Sequence, residues 1–172
     1  MSDWATALIS GLTGVGGVAV GAGLQARFAR QQERWRGRYE PAADLSARLR
    51  GAATSVDYLI RPLVGETSRP AEADSYDKAK AFIEEAAARR AGIEFAFPPP
   101  SPVFPRSTEA VQRLRAALEL VHKTTQDGVG EEAQTLLREG RVSYERAINE
   151  FTDSALAEVG PGPPWWRRIA QT

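Results

Sequence analysis

The 172-residue chain has no cysteine and only one histidine, His122. Its three lysines are Lys78, Lys80 and Lys123. Without thiols it forms no disulfide, no thiolate metal site and no cysteine nucleophile. With one imidazole it has no base to spare for activating a serine, and no Gly-x-Ser-x-Gly elbow is present. No lysine follows a glycine-rich loop in the way phosphate cradles require. Formal charge sums to zero, so no global field draws the chain to nucleic acid. Period-two alternation is missing as well, and with it any expectation of a sheet.

What titratable chemistry remains does not converge. Glu119 and His122 have the Glu-x-x-His spacing that places both side chains on one helix face. Di-iron bundles use two such units, and a second histidine does not exist here. Glu84-Glu85 and Glu131-Glu132 are adjacent pairs, which a helix sends to different faces. No enzyme activity, cofactor, metal or small-molecule substrate is expected, and carboxylate-only hydrolysis is the one chemistry these absences leave open. Lysine scarcity beside abundant arginine and alanine reflects a GC-rich coding bias, not a function.

Charge that cancels overall is unevenly placed. Between Arg27 and Arg50 seven arginines face three acids; between Glu109 and Glu158 ten acids face six bases. A basic segment is thus followed by an acidic distal part.

The first segment is the most informative. "TGVGGVAVGAG", residues 13–23, fits the glycine turn that holds a dinucleotide pyrophosphate. That fold needs a second buried strand ending near Glu33, and "QARFARQQE" is too polar to supply it. The other reading is a membrane span. Trp4 to Ala26 is a run of 23 uncharged residues, about 34 Å long as a helix against a hydrocarbon core of about 30 Å. Trp4 stands where an interfacial aromatic belongs, and Arg27, Arg30, Arg34, Arg36 and Arg38 follow at once. This charge order places the amino terminus outside and the rest in the cytoplasm, as an uncleaved anchor at the cell membrane.

Six glycines weaken the span as a helix but suit it for packing. Ser10, Gly14, Gly17 and Gly21 recur on one stripe, and Gly16, Ala19 and Gly23 on a roughly opposite one. Lipid offers helices no hydrophobic reason to associate, so close backbone approach between small residues must supply it. One stripe suits a dimer, two suit a ring or row, and the alternative is a different membrane protein as partner. The glycine density resembles the inner helix of rotary-ATPase ring subunits over this short stretch only; their mid-membrane carboxylate is absent.

Beyond the span a basic helix is expected over 27–40, its guanidinium groups reaching anionic lipid. Gly37 is a weak point, and Pro41 marks a break or a first-turn position. Over 41–159 the periodicity predicts a helical bundle. Leu45, Leu49, Ala52, Val56, Leu59 or Ile60, and Leu63 form its first seam. A second helix runs from about Ala73 to Ala91, with Tyr76, Ala79, Phe82, Ile83 and Ala86 inward and Gly92 past its end. Prolines 98, 99, 100, 102 and 105 predict an extended strap over 92–106 that buries Phe95, Phe97, Val103 and Phe104. The alternative is a ligand for a proline-recognising partner. Ser107 is expected to cap a third helix with Glu109 in its first turn and Val111, Leu114, Leu118 and Val121 inward. Gly128 and Gly130 separate it from a fourth, with Ala133, Leu137, Gly140, Tyr144, Ile148 (with Ala147), Phe151 and Ala155 inward. Tyr58 is expected on a core face too.

The segment 160–172 is a Pro/Trp/Arg tail. Trp165, Trp166, Arg167 and Arg168 have the amphipathic make-up of a membrane-interface anchor. Packing on the bundle, or binding a partner while unstructured, are the other readings.

The expected fold class is therefore all-α: residues 1–26 as a transmembrane helix, then a cytoplasmic antiparallel bundle of about four helices. The plan resembles small single-span, helix-rich bacterial membrane proteins of unknown function, and this resemblance implies no activity. It suggests a non-enzymatic interaction or scaffold protein whose partners are the lipid bilayer and itself or another membrane protein. An oligomeric pore, and a soluble helical regulator with the first segment buried, are the competing readings.

Overall fold

The computed structural model describes the backbone of residues 3–160 and the side chains of residues 29–160. Among the described residues all regular structure is helical: α1 (Asp3–Leu63), α2 (Ser75–Ala96), α3 (Val103–Asp127) and α4 (Glu131–Val159). The chain divides into two compact units, and the bundle is the one spanning Arg38–Pro161. Among the described residues no helix is long and apolar enough to cross a membrane. The side chains of the uncharged run 4–26 lie outside the described part.

Cross-helix contacts make every neighbouring pair antiparallel. Arg48 on α1 meets Glu85 on α2 at 2.6 Å and Asp44 faces Arg89 at 3.7 Å, so one number climbs as the other falls. Between α2 and α3, Arg115 pairs with Glu84 at 2.9 Å, and the Tyr76 and His122 rings lie 5.2 Å apart nearer the other end. Between α3 and α4, Arg106 donates to the Glu150 carbonyl at 3.2 Å and to the Ser154 hydroxyl. The square closes between α4 and α1. There the Ser46 and Thr152 hydroxyls are 3.1 Å apart, and Arg138 donates to the Val64 carbonyl at 3.2 Å. This is an up-down-up-down four-helix bundle.

The apolar seams read from spacing form its core. Leu45, Leu49, Ala52 and Val56 are fully buried, as are Val111 and Leu114 on α3 and Phe151 on α4. Alanines at Ala52, Ala79, Ala86 and Ala110 let the helices approach closely.

Several boundaries differ from expectation, each for a local reason. α1 does not break at Gly37 or Pro41 but runs through both. An interior proline costs about 3 kcal/mol. Burial of Leu45, Leu49 and Val56 just beyond it returns about 1.5–3 kcal/mol per large side chain, enough to keep the helix going. α2 likewise passes Gly92 and ends at Ala96, because Ile93 and Phe97 continue its buried stripe. The absent Cβ of Gly92 would stand 3.8 Å from that of Pro41.

The proline strap expected over 92–106 contracts to 97–102. α3 starts at Val103, one turn before the expected Ser107 cap. Pro102 and Pro105 do not oppose it, since the first N–H groups of a helix have no intrahelical partner to lose. Ser101 takes the capping role, its hydroxyl accepting from the Val103 N–H at 3.2 Å and donating to Glu158 at 2.7 Å. Ser107 is instead buried and donates to the Phe104 carbonyl at 2.7 Å. Three aromatic expectations also fail: Tyr58 is 41% exposed, Phe82 42% and Phe95 87%, while Phe97 is buried.

The far end of α1 closes with Gly65 at φ 79°. The Glu66 N–H reaches the Arg61 carbonyl at 2.9 Å and the Gly65 N–H reaches that of Pro62 at 3.4 Å. This paired bonding satisfies carbonyls that the helix end leaves open, and a left-handed residue is required to make it.

Candidate interaction surfaces

The side chains of the two small-residue stripes, Ser10, Gly14, Gly17, Gly21 and Gly16, Ala19, Gly23, lie outside the described residues, as does that of Arg27. The same holds for Trp165, Trp166, Arg167 and Arg168. Arg30, Arg34 and Arg36 are exposed, as a lipid- or solvent-facing guanidinium requires. Arg38 begins the bundle unit; it is exposed, and its guanidinium carbon lies 6.0 Å from the centre of the Phe97 ring.

Three features of the bundle stand out. The first is its near end, where α1 enters at Arg38 and the turn 97–102 joins α2 to α3. Phe97 and Val103 plug this end from inside. Arg90 stacks over Phe104 at 5.6 Å, much as Arg38 does over Phe97. Outside the plug, Phe95 and Pro98, Pro99 and Pro100 are exposed, and no charged residue occurs between Glu94 and Arg106.

The second is a shallow groove of about 320 Å³ between α1 and α4, at the same end. Tyr39, Ala43 and Ala47 line one wall, Leu156 and Val159 the other, and Arg50 stands among them. It offers apolar contact and one guanidinium, without the convergent polar groups that fix a small molecule.

The third is a polar cluster toward the far end. Asp57 on α1 binds Arg61 one turn away at 2.7 Å and Arg141 of α4 at 2.7 Å. Arg141 also reaches Glu66 at 2.9 Å. Beside them Tyr144 is 1% exposed, with no hydrogen bond to its hydroxyl. Burial, then the negative charges of Asp57 and Glu145, push that hydroxyl far above the ordinary tyrosine range. It therefore stays protonated at any physiological pH and is no general base. The cluster was not legible beforehand, because Asp57 and Arg141 are 84 positions apart and each is an ordinary charged residue in its own helix.

His122 lies exposed on α3, its Nε2 3.0 Å from the Gln126 amide nitrogen. Among the described residues no group of three histidine, aspartate or glutamate side chains could hold a metal ion. Of the three features, the near end and its groove present open apolar surface. No protein family, curated protein or solved structure matches the chain.

Proposed function

We propose that the protein is a membrane-anchored, non-enzymatic scaffold. Residues 4–26 form a single span with the amino terminus outside, and the bundle works in the cytoplasm as an interaction domain. The observation that carries this reading is the 23-residue uncharged run, closed by five arginines within the next dozen positions. In this reading Arg27, Arg30, Arg34, Arg36 and Arg38 contact anionic lipid, and the Trp165-Trp166-Arg167-Arg168 tail adds an interfacial contact. The glycine stripes then join spans, to a second copy or to another membrane protein.

Alkaline extraction of membranes from cells making the full chain, and a chain lacking residues 1–26, tests the anchor. The full chain is expected to stay in the pellet and the truncated one to wash off. Full recovery of both in the soluble fraction would overturn the anchor and favour the reading as a soluble helical regulator. Gly17→Leu with Gly21→Leu then tests association: crosslinked oligomers in vesicles are expected to fall away. Conductance in those vesicles would favour the pore instead.

A further inference from the structure

The near end of the bundle has a chemistry that anchoring alone does not require. We infer that its cap, Phe95 with the proline turn 98–102, lies on the lipid surface and holds the bundle down against the membrane; this rests on the anchoring proposed above.

Two observations point the same way. Phe95 is 87% exposed, the most of any large apolar side chain among the described residues, although buried Phe97 lies only two positions on. One exposed phenylalanine is unremarkable by itself. Here it adjoins exposed Pro98, Pro99, Pro100, Pro102 and Pro105, in a stretch without charge from Phe95 to Pro105. Water gains nothing from such a cap, whereas the headgroup boundary accepts aromatic and proline surface flanked by guanidinium groups. Arg38 and Arg90, over Phe97 and Phe104, provide that flank.

The two ends of the bundle also differ in charge. At the far end Lys78 holds Asp74 at 2.6 Å and Arg141 holds Glu66 at 2.9 Å, which leaves Glu72, Asp77, Asp127, Glu131 and Glu132 of segments 65–78 and 127–132 against Arg69. An anionic cytoplasmic leaflet repels that end and tolerates the other, where Glu94 and Glu158 flank the cap and the turn itself is neutral. Ser101 binds Glu158, so that carboxylate is already engaged by the turn.

Because the chain lacks cysteine, one introduced thiol labels one site. The test uses full-length Phe95→Cys, with Val129→Cys at the far end as its counterpart. Each carries an environment-sensitive fluorophore in vesicles of phosphatidylcholine and phosphatidylglycerol, with iodide on both sides. Quenching at position 95 is expected to be several-fold weaker than at 129. Circular dichroism in detergent checks that both variants melt like the parent chain. If alkali leaves the chain in the vesicles but both labels quench alike, the cap stands in water and only this inference falls. It would then be free for a protein partner. If alkali strips the chain from the vesicles, the anchor and this inference fall together.

Discussion

Asp57 on α1 and Arg141 on α4 meet at 2.7 Å, and the same guanidinium reaches Glu66 just beyond the end of α1 at 2.9 Å. One side chain thus ties a helix, the loop that leaves it and the antiparallel neighbour. Asp57 and Arg141 are only 14% and 24% exposed, so water screens them less than it does the other ion pairs. The contact at Asp57 Oδ1 is close yet off the hydrogen-bond line, so it acts mainly as charge against charge.

Removing that arginine leaves Glu66 without its ion pair and Asp57 with Arg61 alone. Arg141→Gln is expected to cost about 2 kcal/mol. Arg113→Gln, which breaks the exposed pair with Glu109, should change stability by less than about 0.5 kcal/mol. Denaturant unfolding of the full chain in detergent, followed by circular dichroism, compares them. Equal losses would mean that the tie contributes nothing special.

Tyr144 gives the fold an alkaline weakness. Its hydroxyl titrates in the unfolded chain near 10.0 but is held protonated in the folded one. Above that pH the folded state binds the extra proton, so stability falls as pH rises, by up to about 1.4 kcal/mol per pH unit from this group. Tyr144→Phe is expected to melt no lower than the parent at pH 7, since the hydroxyl it removes has no hydrogen bond. The variant should also lose less stability between pH 9 and pH 11. Parallel melting curves for the two chains across that range would contradict this account.

Two phenylalanines two positions apart should behave oppositely. Phe97 is 1% exposed and Phe95 is 87% exposed. Phe97→Ala is expected to cost about 3–5 kcal/mol through lost burial and the cavity left behind. Phe95→Ala should stay within about 0.5 kcal/mol in detergent. A large loss at position 95 would show that it packs on something in the bundle.

Glycines separate in the same fashion. Gly51 is interior to α1, and an added methyl meets nothing within 4 Å. Gly51→Ala should stabilise by about 0.5–1 kcal/mol. Gly65 has equally open surroundings but a φ of 79°, so Gly65→Ala should destabilise by about 1–2 kcal/mol. Melting temperatures moving in one direction for both would disprove the left-handed turn.

The sequence by itself determined the helical class, because every long segment repeats its apolar residues at helical spacing. Leu45, Leu49 and Val56, or Val111, Leu114 and Leu118, have nowhere to go but a shared core. The surfaces proposed for the first segment rest on the sequence alone, since an uncharged run and the arginines after it are properties of order along the chain. Tertiary structure decided what order could not. Pro41 and Gly92 look like helix ends locally, yet burial of the residues just beyond them outweighs the local cost. Pro102 and Pro105 look like helix breakers, but in a first turn they have no hydrogen bond to lose. Only the packed bundle separates Phe97 from Phe95, and only its closure brings Arg141 to Asp57. Local spacing reports which face a residue occupies; the fold decides what lies opposite that face, and so whether it meets a core, a counter-charge or open surface.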